Sequence, residues 1–167
     1  MTIISRKTIN IKKNINNLLS FLVKNQLGGT MDHVAELNRE PLEKIIKGER
    51  TIEPIFTREE KPPFQAVSVD DTVYFKIKDG FAIAKAKVKK VENYNDLTPE
   101  KATEIIEEYK EEIKPSNIMF ERDIYYKYAT LIWLENLYEI KPFRIKRNTA
   151  NPSNWCVVED INKIREK

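Results

Sequence analysis

Residues 72–91, TVYFKIKDGFAIAKAKVKKV, contain two strand-like runs joined by a tight turn. The first run, residues 72–78, is rich in β-branched and aromatic side chains, which favour extended backbone. Asp79 and Gly80 follow, and this dipeptide is typical of the turn between two antiparallel strands. In the second run, residues 81–91, small apolar residues alternate with lysines, so one face is apolar and the other is basic. The stretch therefore predicts a β-hairpin that buries one of its faces.

The segments on either side of this hairpin predict a mixture of strands and helices. Strands are expected at 33–37, 50–56, 126–140 and in NWCVVED, and helices at 39–47 and 99–113, with a further short helix in DINKIREK. Pro54 cannot donate a hydrogen bond to a neighbouring strand, so its strand should be an edge strand or contain a bulge. We therefore expect an α+β fold, a small β-barrel of about five to seven mostly antiparallel strands with two or more flanking helices.

Composition excludes several classes of protein. The 167 residues include one cysteine, Cys156, which excludes an internal disulfide framework and a cysteine-based zinc cluster. The one histidine, His33, argues against a Ser-His-Asp triad and against a His-rich metal site. No apolar stretch is long enough to span a bilayer. We expect a cytoplasmic protein with no membrane association, no metal and no cofactor.

The first 30 residues differ in composition from the rest of the chain. They hold five basic residues and no acidic residue, so the remaining 137 residues have 29 − 5 = 24 basic against 26 acidic side chains. Residues 10–24 predict an amphipathic helix, with Ile11, Ile15, Leu18, Leu19 and Leu22 on one face. The alternative is that residues 1–30 are an extension with a mis-assigned start and that the domain proper spans 31–167 from Met31.

The stretch GERTIEPIF, residues 48–56, carries the candidate functional residues. Gly48 is expected to end the preceding helix in a left-handed conformation. Arg50 and Glu53 are three residues apart, so a regular strand would point them to opposite faces, whereas a bulge at Pro54 would bring them to one side. The pair is interpreted either as a brace between helix and barrel or as part of a binding site, in which the planar guanidinium suits a phosphate group.

Residues 31 to about 158 resemble the ASCH domain family of the PUA-like superfamily. The family motif is GxKxxExR, and Gly48, Arg50 and Glu53 fall on its first three fixed positions, while Ile55 stands where the family has arginine. The runs DDTVYFK, GFAIAKAKV and ATLIWLE continue the resemblance. It implies a domain that binds RNA or a nucleotide, acting in RNA metabolism or translation-linked regulation, with a cleft formed by Arg50, Glu53 and Lys76.

Lys85 and Lys87 extend this candidate nucleic-acid-binding set along the basic face of the hairpin, because lysines neutralise phosphates. Two other classes of function stay open. One is a hydrolase that acts on RNA or on a modified nucleoside; in the deacylase pattern of related proteins the catalytic Lys and Thr fall at Arg50 and Glu53. The other is a protein-interaction module that uses the acidic helix within residues 99–113.

Overall fold

The computed structural model describes residues 28–116, 125–146 and 154–167, together with Ile15, Leu18, Leu19, Leu22 and Gln26. These five N-terminal positions are helical, and the four apolar ones are about half exposed. Ile11 and most of the predicted extension lie outside the described residues.

The elements follow one another in the order that the sequence patterns predict. They are β1 (Asp32–Leu37), α1 (Arg39–Ile46), β2 (Ile52–Thr57), β3 (Thr72–Ile77), β4 (Ala82–Tyr94), α2 (Pro99–Glu108), α3 (Lys110–Ile113), β5 (Tyr128–Phe143), β6 (Trp155–Val158) and a 3₁₀ helix (Ile161–Lys163).

The six strands form one curled sheet in the order β2-β5-β4-β3-β1-β6. Among these strands β1 and β3 run parallel, and the other four pairings are antiparallel. The sheet is a mixed half-barrel flanked by helices, which confirms the predicted α+β class.

The predicted hairpin is formed by β3 and β4. Asp79 has a φ of 57°, and the amide of Gly80 donates to the carbonyl of Ile77 over 2.8 Å, so these residues form the tight turn. The predicted alternation holds for Ala84, Ala86 and Val88, which belong to one apolar cluster, whereas Ala82 lies beyond a register shift and belongs to another. Phe75 is fully buried on one face, and Ala84 lies opposite it in the register.

One face of the sheet, here called the inner face, carries the largest apolar cluster. This cluster combines strand residues with two residues of α1 and with Val67 and Trp155: Ala35, Leu42, Ile45, Val67, Val73, Phe75, Ala84, Ala86, Val88, Ile132 and Trp155. On the outer face, α2 and α3 cover the end of the sheet at β2, and Ile161 belongs to a separate cluster around Phe143. The inner face is therefore the one that α1 covers.

The structure changes two local predictions and decides a third between its two alternatives. The helix predicted for 99–113 is interrupted at Tyr109, which has a φ of −109° and a ψ of 25°, and so becomes α2 and α3. The stretch DINKIREK forms only three residues of 3₁₀ helix, because the chain then turns back and Arg165 bridges to Ile145. Pro54 lies in the edge strand β2 without a bulge, since its pairing with Leu131 is in regular register.

Candidate nucleotide-binding site at the start of β2

The turn between α1 and β2 positions the first candidate residues. Gly48 has a φ of 74°, and a β-carbon there would meet no atom within 4 Å, so the backbone conformation alone favours glycine. The amides of Glu49 and Arg50 both donate to the carbonyl of Lys44. The amide of Thr51 donates to the carbonyl of Glu112 in α3 over 2.9 Å. The turn is thus anchored to both helices before the strand begins.

Arg50 and Glu53 meet on one side of the chain, although no bulge brings them together. The regular strand begins only at Ile52, so Arg50 lies in the turn and is free of the strand alternation. Its Nε lies 3.0 Å from Oε2 of Glu53, and the two side chains are 8% and 4% exposed. The alternative in which a bulge at Pro54 brings the two side chains together is wrong, because the pairing at Pro54 is regular and the turn already supplies the change of direction.

Glu53 points to the inner face. It is paired with Ile132 across β2 and β5, and Ile132 belongs to the inner cluster. Ile55, two residues farther along, packs against the same cluster. The residue that departs from the family motif is therefore an inner-face apolar contact.

The ion pair leaves hydrogen-bonding capacity unused at both side chains. Arg50 Nε and Glu53 Oε2 are buried and close together, but the N–H is not aligned for a hydrogen bond. Arg50 donates no side-chain hydrogen bond to any residue within the described ranges. Burial raises the pKa of the Glu53 carboxyl above 4.5, and the charge of Arg50 offsets this only in part. The site combines a permanent cation with a carboxyl group that resists ionisation.

The three candidate lysines lie on the opposite side of the sheet: Lys76, Lys85 and Lys87. Their strand neighbours Phe75 and Ala86 belong to the inner cluster, and successive side chains of a strand alternate between faces. The structure therefore brings Arg50 and Glu53 together and places the lysines on the outer face, apart from that pair.

These lysines have local contacts of their own. Lys76 Nζ lies 2.7 Å from a carboxylate oxygen of Glu36, which faces it from β1. Lys87 Nζ donates to the backbone carbonyl of Asp70 over 3.1 Å. Lys85 Nζ lies 5.9 Å from the centre of an aromatic ring on β3. Lys76 is thus largely neutralised by its partner, whereas Lys85 and Lys87 keep their charge near the surface.

A polar group next to Glu53 was missed by the sequence reasoning. Thr130, which is 1% exposed, lies opposite Ile55 on β5 and donates its hydroxyl to the side-chain oxygen of Asn93 over 3.1 Å. The amide of Gln65 donates to the same oxygen. The only signal for this group was a threonine inside an otherwise apolar strand, and its two hydrogen bonds join residues that are 37 and 28 positions apart in the chain.

A second buried polar network is centred on His33, which is 0% exposed. Trp155 donates from Nε1 to Nδ1 of His33 over 3.2 Å, so Nε2 of His33 carries the proton and donates to Asp71 over 2.8 Å. Asp71 also accepts from the backbone amides of Met31 and Ser68. These contacts tie β1, β6 and the loop before β3 together, which makes the network a structural feature.

Two further features are absent from the described part of the chain. It contains no group of three or more His, Cys, Asp or Glu side chains that could hold a metal ion. Within the same residues, no helix is long and apolar enough to cross a membrane.

Comparisons with known proteins give structural matches alone. No protein-family model matches the chain, and no curated protein matches its sequence. Solved structures of ASCH from Zymomonas mobilis are similar to it: the protein itself at 17% identity and a TM-score of 0.49, covering 66% of this chain and 71% of that one. Two mutants of that protein, a Tyr-to-Phe and a Ser-to-Ala form, match at 16% and 18% identity, both with a TM-score of 0.49. Each covers 66% of this chain, and 73% and 72% of the respective mutant chains are covered. ASCH is also the family that the motifs of residues 31–158 resemble.

Proposed function

We propose that this chain is an ASCH-like domain that binds single-stranded RNA or a nucleotide, with a phosphate group held by Arg50. We place it in the cytoplasm, in RNA metabolism or translation-linked regulation. The observation that carries the proposal is the state of Arg50: its side chain is 92% buried, yet it donates no hydrogen bond to a described residue.

A buried guanidinium is costly unless other groups replace the water that it loses. Glu53 does this incompletely, because burial raises the pKa of its carboxyl group by more than the charge and the 3.0 Å contact of Arg50 lower it. The geometry of that contact also leaves Nε and Oε2 without a well-aligned hydrogen bond. The two terminal nitrogens of the guanidinium form a planar fork that matches two oxygens of a phosphate. An anionic ligand would therefore satisfy donors that the protein leaves unused.

The charge of the whole domain does not explain binding by itself. Residues 31–167 carry 24 basic and 26 acidic side chains, so general attraction to a polyanion is weak. Affinity for RNA must come from a few positively charged side chains at defined positions, and Arg50 is the most buried of the candidates. Lys85 and Lys87, on the outer face, are expected to add a salt-dependent contribution that is smaller for each residue.

The test compares Arg50→Lys with wild type for binding of a fluorescein-labelled single-stranded hexanucleotide, measured by anisotropy. Lysine keeps the charge next to Glu53 but removes the fork, so binding should weaken by about 1–3 kcal/mol. A nucleoside 5′-monophosphate should also shift more amide signals near Arg50 in NMR spectra than the corresponding nucleoside does.

Lys76→Ala is the matched control, because this lysine is already paired with Glu36 on the other face. It should leave binding within a factor of about two. The proposal fails if Arg50→Lys melts like wild type and binds RNA equally well, or if nucleoside and nucleotide give the same shifts. Arg50 would then be only a brace between α1 and β2.

A hydrolase is the second candidate function, and the pKa of Glu53 is the observation in its favour. A carboxyl group with a raised pKa beside a cation can act as a general acid or base. Arg50 itself stays protonated and cannot act as a base. We expect acetylated cytidine to remain unchanged by the purified protein. Turnover that Glu53→Gln abolishes would instead make the protein an enzyme.

A further inference from the structure

The side-chain amide of Asn93 has a defined orientation. The same terminal atom accepts from the backbone amide of Gln65 and from the hydroxyl of Thr130, each over 3.1 Å. A backbone N–H can only donate, so the atom that it contacts must be the amide oxygen. The position of the amide nitrogen, Nδ2, follows from this, because the orientation with oxygen and nitrogen exchanged would put two donors in contact.

Nδ2 therefore carries two N–H donors that neither Gln65 nor Thr130 uses. Asn93 is exposed, and its side chain donates no hydrogen bond to a residue in the described ranges. Thr130, which holds the amide in place, is almost fully buried. An exposed donor whose orientation is fixed from a buried position is well suited to recognise an acceptor on a ligand, because little freedom is lost on binding.

Asn93 and Glu53 share the inner face at a suitable separation. Glu53 is paired with Ile132 in one row of inner-face side chains, and the adjacent row on the same face contains Ile55, Thr130 and Asn93. Two residues along β2 and two strands across correspond to about 7 Å and 10 Å, which places the two Cα atoms about 12 Å apart. Ile132 and Thr130 of β5 lie between them and are buried, and the half-buried side chains of Ile55 and Val91 flank this pair, so the surface around the two positions is largely apolar.

We propose that Asn93 forms a nucleobase subsite, in which Nδ2 donates to a carbonyl oxygen of the base whose phosphate is held by Arg50. The proposal rests on the proposed function and adds to it the class of base, one that presents a carbonyl acceptor such as uracil. Ile55 and Val91 contact the sugar and the face of the base, while Asn93 reads its edge.

The decisive variant is Asn93→Asp. Aspartate keeps an oxygen to accept from Gln65 and Thr130, so the fold contacts remain, but it replaces the outward donor by an acceptor. Binding of a uridine hexanucleotide should weaken roughly tenfold, the loss of about one hydrogen bond together with repulsion between acceptors. A cytidine hexanucleotide should lose less, because its exocyclic amino group can donate to the new carboxylate.

Two controls separate base reading from simple charge. Asn95→Asp adds the same charge to an exposed neighbouring residue and should weaken uridine and cytidine oligomers equally. A hexamer that contains abasic sites should bind wild type more weakly than the uridine hexamer does. Its affinity should fall no more with Asn93→Asp than with Asn95→Asp, because it has no base for Asn93 to contact. Melting temperatures of both variants verify that the fold is intact.

The outcomes distinguish this inference from the proposed function. If folded Asn93→Asp binds the uridine hexamer as tightly as wild type while Arg50→Lys still weakens the abasic hexamer, the base subsite is refuted and the phosphate site stands. An equal loss for uridine and cytidine also refutes the subsite, because charge alone would explain it. If Arg50→Lys changes binding of no oligomer, the proposed function fails and the subsite fails with it.

Discussion

Replacing Arg50 by methionine should destabilise the fold in a way that depends on pH. Methionine fills much of the same space but leaves the carboxyl of the buried Glu53 without its cation. Removing one partner of a buried ion pair costs about 3–5 kcal/mol when the other partner stays charged. Burial raises the pKa of Glu53 even with Arg50 in place, so the pKa should rise further without it.

The sign of the pH dependence follows from proton binding. A folded state with a raised carboxyl pKa holds the proton more tightly than the unfolded chain, so this group favours folding at low pH and less so as the pH rises through the folded pKa. We call the difference in free energy of unfolding between wild type and Arg50→Met the deficit of the variant. It should grow by up to about 1.4 kcal/mol for each pH unit in which Glu53 is ionised in wild type but protonated in the variant. Near pH 5 the deficit should be smallest.

Urea unfolding followed by tryptophan fluorescence between pH 5 and pH 8 measures this deficit. The same Arg50→Met change in a Glu53→Gln background is the control, and there the deficit should not depend on pH. A deficit that shrinks as the pH rises in the Glu53 background, or one below about 1 kcal/mol at pH 8, would refute the assigned coupling between the two side chains.

Two further predictions concern the scaffold. Gly48→Ala should lower the free energy of unfolding by about 1–2 kcal/mol, because its φ of 74° disfavours any β-carbon although the space is open. Gly80→Ala is the contrasting case, because its φ is not positive but a β-carbon there would lie 3.2 Å from Ile77. Urea titration of both variants compares the free energy lost to a strained backbone with that lost to a steric contact. His33→Ala should cost about 3–5 kcal/mol, since it opens a cavity and removes contacts of both Trp155 and the buried carboxylate of Asp71. Trp155→Phe removes one donor from His33 but keeps an aromatic ring and the contact of His33 with Asp71, so it should cost less. Equal melting temperatures for wild type and His33→Ala would contradict the assigned network.

Local patterns were sufficient to predict most of the fold. The alternation in residues 72–91 predicted the β3–β4 hairpin, and the stop signal at Gly48 predicted the end of α1. The missing amide of Pro54 predicted an edge strand, and β2 lies at the edge of the sheet. The aromatic and β-branched run within 126–140 predicted the strand that β5 forms between β2 and β4.

The arrangement of the candidate site depends on long-range register, which local patterns do not contain. Whether Lys76 faces Arg50 is decided by how β3, β4, β5 and β2 pair, and that pairing puts Lys76 on the outer face. The contact between Arg50 and Glu53 depends on where the strand begins, which is at Ile52, two residues after Arg50. Asn93 had no local signal, because both of its hydrogen-bond donors come from distant parts of the chain.

The register shifts along β4 and β5 have a consequence for how this domain tolerates insertions and deletions. Val88 and Val91 both pack on the inner cluster although they are an odd number of residues apart, because a shift occurs between Val88 and Lys90. Deleting the exposed Lys89 would remove this extra residue, so Val88 and Val91 would be two residues apart and would both still face inward. Asn93 would keep its place on the inner face. Deleting Glu92, in the regular part of the strand beyond the shift, would instead turn Asn93 to the outer face, so the register shift marks a position of β4 at which the loss of one residue should be tolerated.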